Sequence, residues 1–125
     1  VITLLYKISQ TMPILKINHP PTDEELTLLT KEYHQYIKLS VDIDQKIVYG
    51  GGKLHYDCEQ QLVLKENSKN KHIWSGGVNL TTKKIEYVAV ANIKPSQDNP
   101  GLEILDPQIR QKFKKIVKSF FPNYE

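Results

Sequence analysis

The sequence predicts an α+β domain: a four-stranded, mainly antiparallel sheet built from two hairpins and packed with three helices, in the order α-β-β-α-β-β-α. Three patterns predict it. Apolar residues at helical spacing follow strong N-terminal caps at Thr22 and Asp106. Apolar and polar residues alternate in the stretches around Val41 and Val78, the mark of half-buried strands. The strands come in close pairs, so each pair reads as a hairpin rather than as half of a parallel crossover unit.

The elements follow in order. Pro20 and Pro21 break any regular structure before Thr22-Asp-Glu-Glu25, a capping box with two further carboxylates at the positive end of the helix dipole. Leu26, Leu29, Tyr33 and Ile37 then recur at helical spacing, which predicts a first helix from Asp23 to about Tyr36. Leu39, Val41 and Ile43 form a strand, Asp44-Gln45 turns the chain, and Lys46–Tyr49 returns as its hairpin partner, ended by Gly50, Gly51 and Gly52. A second helix is predicted from an Asp57 cap to about Glu66, with Cys58 and Leu62 inward; a strand through Gln61–Leu64 is the alternative. The second hairpin joins His72–Thr81 to Ile85–Ile93. The centre of its second strand, Val88-Ala-Val-Ala91, is apolar on both faces, so that strand is expected at the middle of the sheet, covered on both sides or at an oligomer interface. Lys94–Leu105 reads as a polar loop. Asp106-Pro107 then opens a third helix with an apolar stripe of Ile109, Phe113, Ile116, Val117 and Phe120, stopped by Pro122.

A length of 125 residues suits one hydrophobic core, expected over 13–125. Residues 1–12 read as an extension outside the domain, because the only methionine is Met12; the other reading makes Ile2–Tyr6 an edge strand. With 39% apolar and 25% charged residues the chain is neither disordered nor membrane-spanning, and no apolar run nears the roughly 20 residues a bilayer needs. Cys58 is the only cysteine, so no intrachain disulfide is possible and a reducing, cytoplasmic compartment is expected. The net charge is +3, and Arg110 is the only arginine among 17 basic residues. Phosphate and base readout lean on the arginine fork, so composition argues against a nucleic-acid partner.

Several residues can carry chemistry. His55, Asp57 and Glu59 have the atoms for acid–base catalysis or a metal site, with His72, Asp98 or Glu103 as further ligands. On an extended segment the three share a face; on a helix they do not. The plainer reading is helix entry, with Asp57 and Glu59 serving the cap and dipole and His55 bonding a carbonyl. Asn92, Lys94, Asn99 and Glu103 can line a binding cleft beyond a buried strand, or instead satisfy their own loop. Gly50-Gly51-Gly52 lacks the spacing of a phosphate-binding loop and reads as a hairpin exit. Cys58 reads as a small core residue rather than a nucleophile, and Trp74 as core or interface. Arg110, Lys114 and Lys118 read as a solvated helix face.

Gly51-Gly-Lys-Leu-His-Tyr-Asp57, Trp74-Ser-Gly76, Asn92-Ile-Lys-Pro95 with Asn99 and Glu103, and Asp106-Pro107 together resemble a family of short, mostly bacterial proteins known only as a domain of unknown function. The resemblance covers residues 13 to 120 in the same element order. Lys94 stands where the family usually has arginine, and Asn67 where it tends to have glycine. The resemblance implies one intracellular domain and supplies no activity and no cofactor.

Three functions follow as expectations. The first is a small module that binds a protein partner or a second copy of itself. The second is a metal-dependent or acid–base hydrolase built on His55, Asp57 and Glu59. The third, weakest on charge, is nucleic-acid binding through Lys83-Lys84 and the last helix.

Overall fold

A computed structural model describes residues 13–31, 33 and 35–125. The proposed extension 1–12, with the Ile2–Tyr6 strand reading, lies outside the described residues. The elements are β1 (Ile14–Ile17), α1 (Asp23–Leu29), β2 (Tyr36–Asp42), β3 (Ile47–Gly51), α2 (His55–Glu66), β4 (Ile73–Asn79), β5 (Lys84–Glu86) and α3 (Pro107–Phe120), with short 3-10 turns before β4 and after β5. The α+β class, the three helices and both hairpins stand. The sheet has five strands rather than four, in the order β1-β3-β2-β4-β5, every pair antiparallel.

Both faces of the sheet are covered. Ile37, Leu39 and Val41 of β2 share one face with Val48, Trp74 and Val78, and this face packs on Leu26 and Leu29 of α1 and on Phe113, Ile116 and Val117 of α3. The opposite face carries Tyr49 and Ile73 against Cys58 and Leu62 of α2. The Tyr49 hydroxyl donates to Glu66 at 2.7 Å, and Lys16 pairs with the same carboxylate at 2.9 Å, which ties the end of α2 to β3 and β1.

Three expectations are corrected. β1 was not predicted; Leu15 and Ile17 reach the α1/α3 face and Ile14 the other, so a four-residue strand fills an edge that its brevity hid. The first helix ends at Leu29, not near Tyr36. The Thr30 hydroxyl turns back onto the Leu26 carbonyl at 2.7 Å, and Ile37, wholly buried, is needed in the sheet. The expected central strand Ile85–Ile93 is only Lys84–Glu86, and it lies at the sheet edge. Beyond it Val88 bridges to Glu103, and the chain turns at Val90–Asn92.

The glycines allow two close approaches. Gly51 and Gly52 take φ of 93° and 74°, letting the chain leave β3 under Pro13, whose carbonyl accepts from the Gly52 amide at 2.9 Å, and enter α2. At Gly76 an added Cβ would lie 2.0 Å from the Glu86 carbonyl oxygen, so no side chain fits where β4 meets β5.

Among the described residues no helix is long and apolar enough to cross a membrane.

Candidate functional site

The site forms where the N-terminal half of α2 crosses β2 and β4. The helix begins at His55, so the His-Asp-Glu trio is helical and divides. His55 and Glu59, four residues apart, share the flank toward the sheet. Asp57 sits in the first turn as its third helical residue, not at the N-cap, and its carboxylate accepts from the Leu54 amide at 3.1 Å. It therefore closes the helix start, as the plainer reading expected.

Under that flank lie two serines that sequence reasoning missed. Ser40 and Ser75 are paired across β2 and β4, wholly buried, with their hydroxyl oxygens 2.7 Å apart. Ser75 donates onward to Glu59 Oε2 at 3.1 Å, so Ser40 is left to donate to Ser75 Oγ or to the His55 carbonyl at 3.4 Å. Their signal in the sequence was a hydroxyl between apolar neighbours, Leu39-Ser-Val41 and Trp74-Ser-Gly76. It becomes meaningful only when the register sets them side by side.

His55 Nε2 lies 2.7 Å from the Gly76 carbonyl. A carbonyl only accepts, so Nε2 carries the proton. Burial pushes the imidazole pKa below its usual value, against a smaller opposing effect of that hydrogen bond, and the nearby Lys38 charge lowers it further. Burial lifts the Glu59 carboxyl above the usual range, although the Ser75 hydroxyl and the Lys94 charge pull it back. Burial lowers the Lys94 ammonium, with Glu59 opposing. Lys94 itself is buried at the end of the 90–92 turn, 3.3 Å from Asn70 Oδ1 and 5.2 Å from the Trp74 ring centroid. Trp74 is core, as expected, and its indole N–H finds no acceptor among the described residues.

The other expected binding residues are already engaged within the fold. Asn92, wholly buried, accepts from the Ser75 amide at 2.9 Å and donates to the carbonyls of Ser75, Tyr87 and Leu102 at 2.8, 3.2 and 3.0 Å. Asn99 donates to the carbonyls of Asn92, Gly101 and Glu103 and accepts from the Leu105 amide. Glu103 is exposed and pairs with Arg110 at 2.7 Å. Asp98 ends the Pro95–Gln97 turn at φ 57°, exposed, and His72 borders a cleft formed with Lys46 and α3. The structure thus brings Glu59 together with Ser75 and the Lys94 charge, sets His55 one helical turn away on the same flank, and does not bring in Asn99 or Glu103. Among the described residues no group of three or more His, Cys, Asp or Glu side chains is placed to hold a metal ion.

Cys58 points inward. Its thiol donates to the Gly51 carbonyl at 3.3 Å, and burial, helped by the Asp57 and Glu59 charges, pushes its pKa up to about 12. A thiol so held is a packing group, not a nucleophile.

The family model for proteins of unknown function DUF5674 matches residues 15–120. The chain belongs to DUF5674. The matched span runs from β1 through the last residue of α3, so in this DUF5674 chain the α2 flank, the serine pair and the 90–92 turn all lie inside the family domain. The expected resemblance to a domain of unknown function is borne out over residues 15–120. No curated protein and no solved structure matches the chain.

Proposed function

We propose that this DUF5674 domain is a binding module, and that it docks a second copy of itself along the flank where α2 meets the 90–92 turn. One observation carries the reading: large apolar side chains stand out on both sides of that contact. Tyr56 and Val63, 60% and 40% exposed, run along the same flank of α2 as Glu59, and Val90 and Ile93, 75% and 44% exposed, rise from the turn packed against it. The turn is not a loose loop, because Asn92 and Asn99 bond it to β4 and to its own return segment. A rigid apolar surface costs little to order on binding, and a twofold self-contact is the commonest way to cover one. The lone, buried Cys58 supports a reducing cytoplasmic setting.

Sedimentation of the purified chain across micromolar concentrations tests this. The expected result is a monomer–dimer equilibrium that Val90→Glu and Tyr56→Glu shift to monomer, while Leu64→Glu, exposed on another side of α2, leaves it unchanged. A wild-type chain that stays monomeric throughout overturns the reading.

The Glu59 carboxyl favours a second reading, acid–base hydrolysis with Glu59 and His55 as the proton-transfer groups and Lys94 tuning Glu59. A half-buried carboxyl raised in pKa, one helical turn from an imidazole lowered in pKa, suits such work. Turnover of an activated ester such as p-nitrophenyl acetate should then fall on Glu59→Gln; equal rates for the two proteins would end this reading.

A further inference from the structure

On the other face of the sheet, between the β2–β3 turn and α3, lies a cleft of about 440 Å³. We infer that it binds a small phosphate monoester, the phosphate held by Lys46, Lys112 and Lys115 and the ester's apolar body lying against Ile116 and Phe120.

The lysines carry the inference. The other two α3 lysines are paired: Lys114 and Lys118 both reach Glu125. Lys46, Lys112 and Lys115 make no ion pair with any described residue, yet all three line the one cleft. Like charges held together in a concave site repel, and the field they focus favours an anion of more than one charge. Among the described residues Asp44 is the single carboxylate lining the cleft, and His72 lines it too.

The backbone under these groups is fixed. Lys46 stands at φ 62° in a turn held by Asp42, which is buried and accepts from the amides of Asp44 and Gln45 at 2.9 and 3.0 Å. Lys112 and Lys115 lie one turn apart on a helix anchored in the core by Phe113 and Ile116.

The walls choose the rest of the ligand. Ile43 and Ile116 line the same cleft, and a second hollow of about 240 Å³ beside it shares Lys46, Lys115 and Ile116 and adds Ser119 and Phe120. A bare phosphate would leave this apolar surface unused. An aromatic or aliphatic ester body would cover it. Ligand pockets run from about 300 to 1,000 Å³, and this one has room for a small molecule but not for a large cofactor.

Amide chemical-shift titration of the full chain at constant ionic strength tests the inference, with phenyl phosphate, inorganic phosphate and a short DNA oligonucleotide as probes. Phenyl phosphate is expected to saturate, with shifts centred on residues 43–46, 112–116 and 120. Inorganic phosphate is expected to move the 46 and 112–115 amides with affinity weaker on the order of tenfold, since it lacks the apolar contact. The Lys112→Gln/Lys115→Gln double variant is expected to weaken phenyl phosphate by about tenfold or more, and Lys114→Gln/Lys118→Gln to leave it unchanged. All four are exposed or half-exposed positions whose replacement leaves the core intact. The inference is overturned by shifts that stay linear with ligand up to about 10 mM, by equal losses in both double variants, by inorganic phosphate binding as well as the ester, or by an oligonucleotide that binds these residues while neither small phosphate does.

Discussion

At Asn92 one carboxamide does what a stretch of strand would otherwise do. β5 covers β4 only at Gly77–Asn79, and the Ser75 amide and carbonyl beyond it are both bonded by this side chain. Asn92→Ala would leave a buried amide and several carbonyls short of partners, and should cost about 3 kcal/mol or more, read as a lower urea midpoint with an unchanged slope. Asn92→Asp should be worse, because a carboxylate cannot donate to the carbonyls of Ser75, Tyr87 and Leu102. Asp42 makes a prediction in pH. Burial alone would raise its carboxyl, but hydrogen bonds from the Ser68 and Gln45 side chains and from the backbone of Gln45 and Asp44 outweigh this and hold it below 3.8. A depressed carboxyl stabilises the fold fully above its unfolded value, and that contribution fades as pH falls through the lower folded value. The wild type should therefore be more stable than Asp42→Asn at neutral pH but not at strongly acid pH, so the gap in thermal midpoint should close below about pH 4. Glu59 should behave in the opposite sense. Its carboxyl carbon should titrate above the ordinary range, and Lys94→Met should raise it further by removing the cation that now lowers it.

Helices were easier to read than strands, and the reason is local. The Thr22 box and the Asp106-Pro107 start act within four residues, and both caps form as the sequence predicts: Thr22 Oγ1 accepts from Glu25, and Asp106 accepts from Gln108 and Ile109. The end of α1 was misread because Tyr33 and Ile37 continue a helical period by coincidence while the sheet claims Ile37. The Val88-Ala-Val-Ala91 run was misread for a related cause. Apolar residues on both faces indicate a central strand only where the backbone has neighbours on both sides. Here Asn92 takes up the edge of β4, so the chain turns away and leaves Val88 and Val90 in solvent. The candidate site divides in the same way. The meeting of His55 with Glu59 follows from helical spacing once the helix is known to start at His55. Ser40 and Ser75 could not be read, because their contact depends on strand register; Lys94 is a binding candidate in the sequence, but its approach to Glu59 depends on a long-range fold of the loop. Gly76 gives an element-level test. Gly76→Ala forces a methyl onto the Glu86 carbonyl, so it should part β5 from β4, and amide hydrogen exchange should quicken at Glu86 and Gly77 before it changes in α2.

Over the whole molecule, one sheet holds two surfaces apart. The apolar flank with Glu59 lies on the α2 side, and the lysine cleft lies on the α3 side. Because β2 and β4 present core residues to both, loss of either helix exposes the same strands, and unfolding should be a single cooperative transition. Trp74, the only tryptophan, sits in the α1/α3 core and reports on one side, while far-ultraviolet circular dichroism reports on all helices. Their denaturation curves should coincide.

The other side carries its own reporter. With a single thiol sealed between α2 and β3 and held almost wholly protonated at neutral pH, the native chain should be inert to disulfide reagents such as Ellman's. Modification then waits for α2 to lift from the sheet, so its rate is a stopwatch on that one event. A labelling rate equal to the global unfolding rate would mean that α2 leaves only when everything else does. A faster one would reveal a door on the α2 side that opens while the Trp74 core stays shut.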